Sequence, residues 1–196
     1  MKDERHTAES ALLSVVLPLW TIAGFGDYLC HRRSRIEATS GTHESLTHTL
    51  MMAAVGVPSA LALLCEINAL TIAVSAGATI LHEAVVIWDV GYAAGRRHVT
   101  TTEQHFHSFL EVLPLTSLLL LSASRPECVA ALVSAKRDEN AFALRPKRDP
   151  VARASLIGVF CAIGLFIAVP YAEELVRCFR SDRSILPHRR PPHPAE

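Results

Sequence analysis

Residues 156–169 read LIGVFCAIGLFIAV, and residues 115–121 read LTSLLLL. Neither run carries the polar stripe at a period near 3.6 that a helix of a water-soluble bundle turns towards solvent. Working outward, five stretches are nearly free of charge: Ala11 to Leu29, Leu46 to Cys65, Asn68 to Val90 (broken by His82, Glu83 and Asp89), Phe106 to Ala123, and Ala154 to Tyr171. Each is close to the ~20 residues a helix needs to cross a hydrocarbon layer of roughly 30 Å. The expected fold is an all-α integral membrane bundle of five transmembrane helices, with spans at 11–29, 46–65, 68–90, 106–123 and 154–171. The alternative, a soluble bundle of very apolar helices, is disfavoured by the missing polar stripe.

Composition agrees. Half of the 196 residues are apolar, 19% are charged, and the formal net charge is zero. That excludes a disordered chain, a disulfide-dense miniature and a nucleic-acid binder built on bulk positive charge. One transmembrane domain over residues 1–183 is expected, with a proline-containing disordered tail at 184–196. Met1 to Glu9 is too acidic for a signal sequence, and no small-residue cleavage site follows, so 11–29 reads as a retained span. Glu66, Ile67 and Asn68 are the turn between the second and third spans. Between the fourth and fifth, residues 125–150 are polar and basic, with room for a short interfacial helix within 127–137. Pro58 and Pro114 should kink their helices. The cysteines at 30, 65, 128, 161 and 178 have no C-x-x-C pairing and read as small apolar fillers, only Cys30 lying beside candidate site residues.

Seven of the ten histidines fall between residues 31 and 107, with carboxylates at regular offsets. Asp27 and His31 are four apart, as are Glu44 and His48, and Glu103 and His107; His82 and Asp89 are seven apart. Each pair shares a helix face. Asp27 and His31 end the first span, Glu44 and His48 begin the second, His82 and Asp89 end the third, and Glu103 and His107 begin the fourth. All four sets therefore lie at one side of the membrane, and four helices would aim them at a common centre. The hairpin closing at Glu66 is expected to bring His48 and His82 to similar depth.

Singly, each pair has an ordinary reading: an interfacial histidine on a carbonyl, or a helix-stabilising contact of a few tenths of a kcal/mol. Together they have the composition of a buried metal site, because ionisable groups near the hydrocarbon are costly unless paired and helices presenting Glu and His inward build dinuclear carboxylate centres. The expected ligands are Asp27, His31, Glu44, His48, His82, Asp89, Glu103 and His107, enough for two ions. Glu83 and His105 are candidates for proton transfer or ligand support, and Arg96 and Arg97 for a substrate anion or lipid phosphate. Glu173 and Glu174, after the last span, read as solvated.

The run Asp27-Tyr28-Leu29-Cys30-His31-Arg32-Arg33, then Glu37, Glu44-Ser45 and His48, His82-Glu83, Trp88-Asp89, Glu103-Gln104-His105-Phe106-His107 and Glu111, together with Pro170-Tyr171 and Glu173-Glu174, resembles a group of uncharacterised small bacterial inner-membrane proteins. That resemblance supplies no activity. A looser similarity is to membrane-bound di-iron hydroxylases and desaturases, which gather histidines at the cytoplasmic ends of transmembrane helices. Their H-x-x-x-H and H-x-x-H-H boxes are absent here, so the similarity implies a type of site and no catalytic residue.

The leading expectation is a membrane-embedded, metal-dependent oxidoreductase with two iron ions, acting on a lipid or other hydrophobic small molecule, served by a redox partner and binding no nucleic acid. The alternatives are a zinc-dependent membrane hydrolase, a haem-binding electron-transfer protein ligated by His48 and His107, and a non-catalytic assembly subunit. Basic residues divide almost evenly between the two faces. Arg32, Arg33, Arg35, Arg96 and Arg97 in short loops favour a bacterial inner membrane with the site on the cytoplasmic face.

Overall fold

The computed structural model describes residues 2–134 and 139–185. Residues 135–138, which include the end (135–137) of the expected interfacial helix, and 186–196 of the expected tail lie outside the described residues. Helix α1 runs through α-helical Lys2–Ala11, a π-helical turn Leu12–Val16 and α-helical Leu17–Ser34. It is followed by α2 (Gly41–Leu64), α3 (Ala69–Ala94), α4 (Thr101–Ser124) and the short α5 (Pro126–Val133). The last helix, α6, is α-helical Arg153–Ile163, a second π-helical turn Gly164–Ala168, and α-helical Val169–Ile185.

Five helices are long and apolar enough to cross a membrane: Thr7–Ser34, Gly41–Leu64, Ala69–Ala94, Thr101–Ser124 and Arg153–Asp182. In the most apolar window of each, only 17% to 33% of residues are buried inside the bundle. Ile80, Ile87, Leu119 and Leu165 point outward. So much outward apolar surface suits lipid as the solvent, and the chain is an integral membrane, all-α bundle.

The helices pack in a closed ring: α1 on α4, α4 on α3, α3 on α2, α2 on α6, and α6 back on α1. The fifth span is therefore part of the wall around the centre, inserted between α1 and α2. Val16, Trp20, Ala23, Val55, Leu110, Leu113, Ile167 and Tyr171, from four of the five spans, form the main apolar core.

Local chemistry sets the connections. Arg35, in the left-handed conformation (φ 54°), ends α1, and fully buried Ile36 anchors the turn that follows. Asn68 starts α3 with a capping box: its side chain accepts from the Thr71 amide (3.0 Å) while its own amide donates to Thr71 Oγ1 (2.8 Å). This turn falls where the sequence placed it. Beneath it the polar loop is pinned by Glu66 N–H to the Arg145 carbonyl (2.8 Å), Lys147 N–H to the Leu64 carbonyl (3.0 Å) and Arg148 N–H to Glu66 (2.7 Å). Glu9 of α1 pairs there with Arg125 and Lys147, each at 2.9 Å. All five cysteines are free thiols.

Candidate metal centre

At the opposite end of the bundle the helices outrun the apolar stretches by about a turn; His31, Glu44 and Glu103 lie in those extra turns, and Asp27, His48, Asp89 and His107 in the adjoining ends of the stretches. α1 continues past Leu29 to Ser34, and α2 starts at Gly41, ahead of Leu46. Asp27, His31, Glu44, His48, Asp89 and Glu103 are each at most 2% exposed, and His107 is 15% exposed. They fall into three linked groups whose ligand atoms lie within 4.8 Å of one another: Asp27, His31, Glu103 and His107; His31, His48 and Glu174; Glu44, His48 and Asp89.

The first group is a cup whose members approach one another within ion-pair distance but share no aligned hydrogen bond. His31 Nε2 lies 3.4 Å from Asp27 Oδ2 and 3.4 Å from Glu103 Oε1, and His107 Nε2 lies 3.1 Å from Asp27 Oδ1 and 3.9 Å from Glu103 Oε1. None of these approaches is aligned as a hydrogen bond. Asp27 Oδ1, His31 Nε2, Glu103 Oε2 and His107 Nε2 are all buried without a hydrogen-bond partner. Four such orphans in one place need an explanation, since buried polar atoms are nearly always satisfied. Ligands roughly 2.1 Å from a shared ion stand roughly 3.0 to 3.4 Å apart at right or tetrahedral angles, close to the spacing seen. These residues fit a cation.

The second group orients the ligands. Glu174 accepts from His31 Nδ1 (2.9 Å) through one oxygen and from His48 Nδ1 (3.2 Å) through the other. With both Nδ1 atoms donating to a carboxylate, the neutral rings present Nε2 lone pairs, the arrangement that carboxylates impose on metal-binding histidines. The two rings lie parallel, 8° apart, with centroids 4.5 Å apart.

In the third group His48 Nε2 is 3.3 Å from Asp89 Oδ2, while Thr47 donates its hydroxyl to the other Asp89 oxygen. Arg97, from the loop between α3 and α4, lays its Nε 3.1 Å from each Glu44 oxygen and its NH2 2.5 Å from Glu103 Oε1, so one guanidinium joins the first and third groups. Burial alone would lower its pKa, but the hydrogen bonds to Glu44 and Glu103 outweigh it and hold Arg97 charged, above its ordinary value. Tyr171 completes the wall, its hydroxyl 3.1 Å from Asp27 Oδ2 and 3.0 Å from the Gly24 carbonyl.

Seven of the eight expected ligands thus converge, and His82 does not. It is buried, but its Nδ1 lies 3.4 Å from Glu83 Oε1. The α2–α3 hairpin puts His48 level with Asp89, and His82, seven residues nearer the turn, sits roughly 10 Å lower. Sharing a helix face did not mean sharing a depth. His105 is exposed on the outside of the bundle, and Glu83 pairs with His82. Arg96 lies over the Tyr92 ring, 3.5 Å from its centroid, away from the site.

Glu174 is not solvated as expected, whereas Glu173 keeps 38% of its side chain exposed. Glu174 is fully buried at the centre, and Glu173 takes Arg32 (2.5 Å), the Tyr28 hydroxyl (2.9 Å) and Arg177 (3.4 Å). The signal was a period: Tyr171, Glu174 and Cys178, spaced by three and four, are all buried on one face of α6. Comparison with known proteins finds no matching family model, no similar curated protein and no similar solved structure.

Proposed function

We propose that this protein is a membrane-embedded, metal-dependent oxidoreductase with a dinuclear iron centre, acting on a lipid or other hydrophobic substrate. The observation that carries the metal reading is the convergence of four buried ligand atoms, from Asp27, His31, Glu103 and His107, that make no hydrogen bond. Charge supports a second ion. Asp27, Glu44, Asp89, Glu103 and Glu174 bring five carboxylates into the buried cluster against one guanidinium, Arg97, leaving four negative charges when the imidazoles are neutral. An uncompensated excess of that size is untenable near hydrocarbon, and two divalent ions cancel it. The first would sit among Asp27, His31, Glu103 and His107, the second among Glu44, His48 and Asp89. Nitrogen and oxygen donors without thiolate suit iron, which when bound supplies oxygen activation and one-electron chemistry.

The chain's own residues do the rest. Glu174 sets the tautomers of His31 and His48, Arg97 holds Glu44 and Glu103 in register, and Tyr171 fixes Asp27. Arg97 NH1 is buried without a partner and is the donor left for a substrate oxygen. His107, the most exposed member, marks where a hydrophobic substrate comes closest. Glu83 and His105, away from the ligands, have no direct part in this reading. We place the protein in a bacterial inner membrane with the centre on the cytoplasmic face, supplied by a redox partner. The support for that face is now Arg32, Arg33, Arg35 and Arg96, because Arg97 is spent inside the site.

A zinc hydrolase is the second reading, and one observation favours it: Arg97 engages both oxygens of Glu44 but one oxygen of Glu103, so the first group keeps more acceptor atoms open to a single ion. Haem is disfavoured because both nitrogens of His48 face carboxylates. The deciding experiment is metal content and visible spectrum together, on protein purified in mild detergent. About two irons per chain without a Soret band is expected; zinc favours the hydrolase, a Soret band haem. A folded protein that holds no metal, and is indifferent to His31→Ala and His107→Ala, would sink every metal reading.

A further inference from the structure

A second feature opens into the bundle from the face opposite the centre, with mostly apolar walls that carry a few hydroxyls. A cavity of ≈ 70 Å³ lies between α1, α2, α3 and α4, with Glu9 and Lys147 at its outer end. Pro58, Pro114 and residues of the π-helical turn of α1 line it, so three departures from regular helix geometry border this space, while the π-helical turn of α6 lies elsewhere. Its walls carry four hydroxyls, Ser59, Ser75, Thr79 and Ser117. A volume of this kind holds roughly five waters, at about 10–15 Å³ each, and the hydroxyls supply the polar partners that water needs.

The hydroxyls are arranged for water. Ser75 donates to the Thr71 carbonyl (2.8 Å), Thr79 to the Ser75 carbonyl (2.9 Å) and Ser117 to the Leu113 carbonyl (2.8 Å). Their protons are used within the helices, so their lone pairs remain for water or hydronium. Thr71, Ser75 and Thr79 follow one another at four-residue steps, roughly 6 Å, a spacing of two hydrogen-bond lengths that one water can span; Ser75 and Thr79 line the cavity, and Thr71 lies just outside it. The cavity's lining on α3 ends at Thr79; His82, buried, stands one turn above it on the same face, and Asp89 of the centre two turns above that. From Thr71 to Asp89 the file rises roughly 27 Å, nearly the hydrocarbon thickness. Buried Val85 lies between His82 and Asp89.

We propose that this cavity is a water-filled half-channel that brings protons from the face opposite the centre to His82, the last buried titratable group before the centre. Its existence does not depend on the metal; only the use of the protons rests on the metal-centre reading. Glu9, held by Arg125 and Lys147, stands at its mouth.

The test is access. In a variant whose five cysteines are replaced, single cysteines are placed by Ser75→Cys and Thr79→Cys, with Ile80→Cys as a lipid-facing control, and silver ion is added to one side of sealed vesicles. Thiols at 75 and 79 should react on the order of 100-fold faster than at 80, because only hydrated thiols ionise readily, and only from the Glu9 side. Reaction no faster than the control, or from the centre's side, overturns the proposal. Hydroxyl-radical footprinting of the unaltered protein decides independently of these variants. Leu118, which lines the cavity, should be oxidised while its neighbour Leu119, which faces lipid, is spared; equal protection of both would also overturn it. A positive footprint on protein that binds no metal would leave the half-channel standing and remove the metal centre.

Discussion

Glu174 is a single carboxylate serving two imidazoles, and the geometry leaves it no slack: each oxygen accepts one Nδ1 proton, at 2.9 and 3.2 Å. Glu174→Gln keeps the shape but replaces one acceptor with an NH2 donor, which faces a donor on either His31 or His48. One ring must then flip or change tautomer, withdrawing its Nε2 from the cation position. Loss of such an orienting partner typically weakens metal binding by roughly 10- to 100-fold. The expected outcome is that loss in a metal titration, with helical content unchanged by circular dichroism; unaltered affinity would show that Glu174 does not orient the ligands. At this scale the sequence was informative where a pair sits at i and i+4 in one helix. Asp27 with His31, Glu44 with His48 and Glu103 with His107 could be read before any coordinates, because four residues fix both face and depth. His82 was misplaced because seven residues fix the face alone. Glu174 was missed because a carboxylate after an apolar run looks wet unless its period with Tyr171 and Cys178 is counted.

The centre is built between helices, so its geometry depends on how closely they approach. Gly24 and Gly26 lie on α1 just before Asp27. A Cβ on Gly26 would fall 2.5 Å from the Phe106 ring of α4, and one on Gly24 would fall 2.7 Å from Ile167 Cδ1 of α6. Glycine here brings three spans together beside the ligands. Gly26→Ala should push α1 from α4, parting Asp27 and His31 from Glu103 and His107, at a cost of about 1–3 kcal/mol for overpacking. The expected result is a lower midpoint in thermal unfolding and weaker metal binding. Gly77→Ala, with nothing within 4 Å of the new Cβ, should change neither. Spans, their number and the α2–α3 turn were legible because hydropathy and helix length are linked by a fixed rise per residue. The ends of the helices were not: hydropathy stops where charge begins, whereas α1 and α2 continue through charged turns whose carboxylates and imidazoles are buried against other helices.

On the scale of the whole molecule, two opposite economies hold the bundle together. At the Glu9 end, ion pairs and backbone hydrogen bonds clamp the loop beneath the α2–α3 turn and satisfy themselves. At the other end the cluster has more carboxylates than cations, so the five helices that meet there repel one another unless something cationic enters. On the proposed metal reading, stripping the ion is therefore a stability experiment as well as a functional one. A ligand that binds only the folded protein stabilises it by about 2.7 kcal/mol at one hundred times its dissociation constant. For a chain of this size that corresponds to roughly 5–10 °C in unfolding midpoint. Protein stripped with a chelator in detergent should unfold lower by that order, and added iron should restore the midpoint. His31→Ala/His107→Ala should start low and gain little from iron. Protein whose midpoint ignores both chelator and metal would show that its carboxylates are neutralised by protons instead, and that the ring of helices closes without a cation.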